Sequence, residues 1–268
     1  AWIWDLPPVP WNRTARVHPA FEIEQMYLDL IARAQRVIYA ESQYFASRRI
    51  AQAIARRLVE EDPPEIVIIN PVGAQGWLEP LAMDTARAQL VEALRRLDHR
   101  GRLRIYHPVT AKGAEIYVHA KVMIVDDLYL RVGSSNFNNR SMRLDTECDV
   151  MLAADRPGAD VTRARITALR DDMLAEHLAL SPEAVSEAIA THGGLIAAIE
   201  AHRGPQGEGR TLIPYEIPEL TDFQAWLADN EILDPEGPDK IFEPLGKRKG
   251  LIRHWHWPRR LRWRRRRA

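Results

Sequence analysis

The sequence predicts an α/β fold: a mixed, largely buried β-sheet with helices on both faces. Three observations carry this. Between residues 20 and 107, short apolar runs alternate with segments of helical period. Two apolar runs then flank Asp126-Asp127, as in a tight hairpin. After Ala154 the pattern turns helical, which leaves elements to cover the second face.

The elements follow in order. Residues 1–19 are rich in Trp and Pro and read as an irregular entry strap whose aromatic rings pack as a clasp. From Ala20 to Ala34, Phe21, Ile23, Met26, Leu30 and Ile31 keep a helical period. Arg36–Glu41 is a short buried strand. Ser47–Glu61 is a helix with Ile50, Ile54 and Leu58 on one face, ended by Asp62-Pro63-Pro64. Glu65–Asn70 is a second strand, Glu79–His99 a long helix stopped by Gly101, and Arg102–His107 a third strand. Ile116–Val125 and Tyr129–Val132 form the hairpin, Gly133–Arg143 a polar loop, and Thr146–Ala153 a further strand. Ala159–Leu180 is one helix. Ser181-Pro182 opens another, with serine as cap and proline at the first helical position. Gly193-Gly194 separates it from a short helix at Leu195–His202. Residues 211–245 are Pro-rich and read as an extended strap with one short helix near Asp222–Leu227.

The chemistry sits in the hairpin. In a strand, alternate side chains share a face, so His119 and Lys121 point the same way, roughly 7 Å apart. Met123 and Val125 continue that face, and Asp126 points to the other. A histidine and a lysine on one face of an otherwise apolar strand need a polar reason to be there. The loop that follows supplies the Gly133-Ser134 turn and the Asn136 amide. A histidine, a lysine, a hydroxyl and an amide at one sheet edge suit a phosphate. Lys121 neutralises an oxygen, Ser134 and Asn136 donate hydrogen bonds, and His119 serves as nucleophile or general base. A lone His-x-Lys is weak, and Asp-Asp at a turn is unremarkable. His-x-Lys-x4-Asp-x6-Gly-Ser-x-Asn, with its positions fixed over eighteen residues, is not.

That pattern resembles the HKD motif of the phospholipase D superfamily. Asn138–Met142 and Asp145–Glu147 look like the family's continuation. Glu41-Ser-Gln-Tyr-Phe45 resembles the segment before the second motif of two-motif members, and Arg170–Leu178 the helix after it. The resemblance covers about residues 20–180 and implies a two-step phosphodiester exchange. One histidine forms a phosphohistidine, and a second, from another HKD motif, protonates the leaving alcohol. Water or another alcohol then completes the exchange, with no metal and no cofactor. On this resemblance His119 is one of the two histidines, more often the acid/base partner. Lys121 and Asn136 bind the phosphoryl oxygens, Ser134 and Gly133 build the loop, Glu147 accepts a hydrogen bond from His119, Gln43 supports the site, and Asp126 supports the fold.

The sequence holds one such motif, since no other histidine is followed two residues later by lysine. A second motif must therefore come from a missing N-terminal half or from a second copy of the chain. The Glu41–Phe45 segment and the start at Ala1 without Met favour the first. The domain reading is an entry strap at 1–19, a catalytic half-domain at 20–180, a helical and Pro-rich extension at 181–245, and a basic tail at 246–268.

Charge divides along the same line. Lys+Arg and Asp+Glu both number 37, yet no acid follows Glu243, and eleven basic residues lie between Lys247 and Arg267. An acidic body disfavours nucleic acid as a partner. The tail carries Arg259, Arg260, Arg262, Trp263, Arg264, Arg265, Arg266 and Arg267, and it suits an anionic membrane surface, because basic clusters attract acidic headgroups and Trp prefers the interface. No apolar run is long enough to span a bilayer, no signal peptide is visible, and Cys148 is the lone cysteine. The expectation is a cytoplasmic enzyme, peripheral on the membrane, that hydrolyses or transfers phosphatidyl groups. The alternatives are phosphatidyl transfer of the cardiolipin synthase kind and a homodimeric nuclease of the same superfamily.

Overall fold

The computed structural model describes residues 21–73 and 79–218, with the backbone alone for 79–82. The entry strap, the expected helix near Asp222–Leu227 and the basic tail lie outside the described residues.

Seven strands form one mixed sheet. In chain order the elements are α1 (Glu22–Arg33), β1 (Val37–Ser42), α2 (Arg48–Leu58), β2 (Glu65–Ile69), α3 (Glu79–Arg95), β3 (Leu103–Val109), β4 (Lys121–Val125), β5 (Tyr129–Gly133), α4 (Asn139–Arg143), β6 (Asp149–Ala153), α5 (Asp160–Leu178), α6 (Pro182–His192), α7 (Leu195–His202) and β7 (Thr211–Pro214). The strand order is β6-β5-β4-β1-β2-β3-β7. Strands β1, β2 and β3 run parallel, and the outer pairs are antiparallel. Every residue of β1 is buried, as befits a middle strand covered on both faces.

Strand alternation sorts the apolar side chains into two cores. Ile38, Ala40, Ile66, Ile68, Met123 and Val125 pack under α1, α2 and α3. Val37, Tyr39, Val67, Ile69, Ile124 and Leu130 pack under α5, α6 and α7. Capping fixes the helix starts: Ser47 accepts from the N–H of Ile50, Asn138 from Ser141 and Ser181 from Ala184. None of the described helices is long and apolar enough to cross a membrane.

Three expectations change. The strand expected from Ile116 starts only at Lys121. Lys121 pairs with Ser42, the last residue of β1, after which the chain leaves the sheet for α2. Residues 116–120 therefore lie outside the β4 ladder, and the N–H of Ile116 donates instead to the Pro108 carbonyl at 3.0 Å. The polar loop after Gly133 contains the short helix α4, because Asn138 caps the run that follows it. Finally, Thr211–Pro214 is a strand that pairs antiparallel with β3, whereas its composition reads as a strap. Helices α6 and α7 contribute Val185, Leu195, Ile196 and Ile199 to the second core. The sheet thus includes Thr211–Pro214 at its edge.

Candidate active site

Strand direction gathers the chemistry at one edge. The carboxyl ends of β1 to β3, the start of β4, the end of β5 and the start of β6 share that edge. In open α/β sheets this is where ligands are usually held. Because residues 116–120 stand outside the ladder, His119 is exposed at the rim while Lys121 is half-buried behind it. The ring of Tyr117 stacks on that of His119, with centroids 6.3 Å apart and planes 22° from parallel.

Lys121 is tethered within this chain. Its Nζ donates to the carbonyl of His119 at 2.8 Å and to Oε1 of Gln43 at 3.2 Å. Gln43 Nε2 in turn donates to the hydroxyls of Tyr117 at 2.6 Å and Tyr44 at 2.8 Å. Gln43 follows β1 directly, so the segment singled out around Glu41–Phe45 meets the motif here. Burial pushes the Lys121 ammonium below its ordinary pKa, Arg131 acts in the same direction, and the Glu147 carboxylate opposes both.

The loop after β5 supplies the rest. Ser134 Oγ donates to Glu147 Oε2 at 2.5 Å and accepts from the N–H of Cys148 at 3.0 Å. The carboxylate that the resemblance pairs with His119 is thus engaged by Ser134. Asn136 is nearly buried, and its Oδ1 meets no hydrogen-bond partner. A buried acceptor without a partner is costly, so Asn136 is held for something other than packing.

Asp126 lies at the far end of β4, away from this edge. Its carboxylate accepts from the backbone N–H groups of Gln35 at 2.6 Å, Arg36 at 2.7 Å and Val37 at 2.9 Å. It ties the α1–β1 connection to the hairpin turn, which is a structural task.

Two networks escape a reading of the sequence. Glu41 Oε1 accepts from the Tyr39 hydroxyl at 2.5 Å and lies 3.0 Å from Nε2 of His177, joining the two segments after and before which the motif stands. Burial, with Glu41 beside it, drives the Tyr39 pKa well upward. Below the Ser134–Asn136 loop, Arg131 and Asp149 form a buried pair at 2.5 Å. The only signal for it was an arginine inside the apolar run Tyr129–Val132.

Comparisons with known proteins point to one superfamily. The family described as Phospholipase D matches residues 84–192, which contain His119, Lys121, Asn136 and Glu147. Phospholipase D zeta 2 of Arabidopsis thaliana is 29% identical over 177 residues, covering 50% of this chain and 17% of that protein. Phospholipase D alpha 1 of Spuriopimpinella brachycarpa is 41% identical over 69 residues, 24% of this chain and 8% of that protein. Among solved structures, phosphatidylserine synthase of Haemophilus influenzae Rd KW20 aligns with a TM-score of 0.43 at 20% identity, over 68% of this chain and 44% of that one. The chain spans less than a fifth of the curated relatives it matches.

Proposed function

This chain belongs to the phospholipase D superfamily, and from that premise we propose that it cleaves or exchanges phosphodiester bonds of phospholipids through a phosphohistidine. The observation that carries the proposal is the sheet edge itself. An exposed His119, a half-buried Lys121 and the loop of Ser134 and Asn136 lie at the same edge of the sheet, a set of groups suited to a phosphoryl group.

In the proposed reaction a histidine nitrogen attacks phosphorus, and the bond from phosphorus to the leaving oxygen breaks. The opposing histidine gives that oxygen its proton. It then takes a proton from water or an alcohol, which displaces the protein nitrogen and restores both histidines. Lys121 and the Asn136 amide neutralise and orient the non-bridging oxygens. His119 acts as the acid/base partner where another motif supplies the nucleophile. In a symmetric pair of these chains, either His119 takes either part. The second motif comes from additional residues of the same polypeptide or from a second copy. The basic tail holds the enzyme on an anionic bilayer.

A second reading, a nuclease built from two copies, is favoured by one observation: 268 residues carry a single motif. Phosphatidylcholine, phosphatidylglycerol and DNA, each assayed with wild type and His119→Ala, separate these readings. A lipid product that the variant fails to make supports the proposal. A His119-dependent cut of DNA, with no lipid turnover, overturns it in favour of the second. With glycerol present, phosphatidic acid against a phosphatidyl-alcohol product then distinguishes hydrolysis from phosphatidyl transfer.

A further inference from the structure

Beneath the proposed phosphoryl seat lies a charged network that the reaction does not use. The side chains of Arg131 and Asp149 are each 1% exposed, with Arg131 Nη2 lying 2.5 Å from Asp149 Oδ1. Arg131 Nη1 donates to the carbonyl of Lys121 at 2.9 Å. Arg131 Nη2 donates to the carbonyl of Ser135 at 3.0 Å and also to its hydroxyl. Asp149 accepts from that hydroxyl at 2.5 Å and from the N–H of Ser135 at 3.3 Å. Tyr27 completes the cage from α1, with its ring 4.6 Å from the guanidinium and its hydroxyl donating to the Ser135 carbonyl at 3.0 Å.

One planar guanidinium therefore holds the backbone of Lys121 on one side and the residue before Asn136 on the other. Stability alone does not call for this. A buried ion pair is often no better than an apolar pair of the same shape. What the pair adds is direction, since a rigid fork of N–H donors fixes angles as well as distances. The chain also makes room for it. A Cβ at Gly133 would stand 1.9 Å from Asp149 Oδ1, so only glycine fits beside this carboxylate.

We propose that the Arg131–Asp149 pair is a positioning device that sets Lys121 and the Ser134–Asn136 loop at the spacing needed to grip one phosphoryl group. The proposal rests on the reading of this edge as a phosphoryl seat and names what shapes it. Arg131 also acts electrostatically: with burial it disfavours the charged form of Lys121, against the Glu147 carboxylate, which favours it.

The test uses the full chain and three variants: Asp149→Asn, Arg131→Lys, and the apolar double change Arg131→Met with Asp149→Leu. Each is examined by thermal unfolding, by amide NMR spectra, and by titration with inorganic phosphate. The double variant is expected to unfold at a lower temperature, because the Lys121 and Ser135 carbonyls and the Ser135 N–H lose buried partners even though its core stays filled. Its amide signals at Lys121, Ser134, Ser135 and Asn136 are expected to shift or broaden while the other strands keep theirs. Its phosphate affinity is expected to fall about tenfold or more, the loss of roughly one charged hydrogen bond at the seat. Arg131→Lys, which keeps the charge but not the fork, falls between it and wild type.

Unchanged amide signals at those four residues with unchanged affinity would make the pair mere packing and overturn the proposal. If the double variant does not fold, the near-isosteric Asp149→Asn decides by the same signals. If wild type and Lys121→Ala bind phosphate equally poorly, the phosphoryl seat fails instead, and the amide signals still decide the positioning role on their own.

Discussion

Lys121 carries the most informative residue-scale prediction. In the proposed site its ammonium supplies the positive charge, and burial lowers its pKa from 10.5. A lysine with a lowered pKa binds fewer protons folded than unfolded between the two values. In that window, stability rises with pH while the seat loses its charge. Phosphate binding is therefore expected to fade below the pH at which an ordinary lysine titrates, as a pH series of titrations would read. Gln43→Glu places a carboxylate on the tether of Lys121. It should weaken phosphate binding at neutral pH and move the alkaline loss up by about one pH unit. If the loss stays in place, Gln43 does not govern the lysine. At His119, replacement by Ala should cost turnover about a hundred-fold or more, the usual worth of a positioned proton donor or nucleophile. At this scale His119, Lys121, Ser134 and Asn136 could be singled out as candidates because their spacing is local. The engagement of Glu147 by Ser134 was not, because thirteen residues separate them and a sheet edge brings them together.

The β4–β5 hairpin governs at the scale of elements. Asp126 and Asp127 have φ of 54° and 60°, and the N–H of Leu128 donates to the Val125 carbonyl at 2.9 Å. These angles fit a type I′ turn, which aspartate tolerates better than most residues. The turn sets the register of β4 against β5, and that register puts Lys121 beside Gly133. Asp126 also satisfies three backbone donors of the α1–β1 connection. Asp126→Ala should then lower stability by about 3 kcal/mol, as two or more part-buried N–H groups lose their acceptor. Urea unfolding measures this, and a cost under about 1 kcal/mol would deny Asp126 its structural task. Helix starts at Ser47 and Ser181 and the hairpin turn were readable from single residues, because caps and turns are local chemistry. The end of β4's ladder was not, because it depends on where β1 stops.

For the molecule as a whole, one motif has to find another. If a second copy supplies it, specific activity should rise with chain concentration over the range where sedimentation shows dimers. Robust turnover by a demonstrated monomer of these 268 residues would sink the two-motif reading. The charge split makes a separate claim about placement. A chain ending at Leu245 should lose flotation with anionic vesicles that the full chain shows, and equal binding would remove the tail from the proposal.

What the sequence determined by itself is the order of the elements through α7, the short α4 apart, and the two-faced burial of the sheet. Each of these is written in short-range periods, caps and spacings. The tertiary structure alone decided that His119 stands free of the ladder, that Gln43 reaches Lys121, that Glu41 meets His177, that Thr211–Pro214 closes the sheet, and that Arg131 pairs with Asp149. All but the first join residues 18 or more positions apart, and His119 stands free only because β1 ends at Ser42. Which distant groups meet is set by how the strands line up in the sheet, and no local pattern records that.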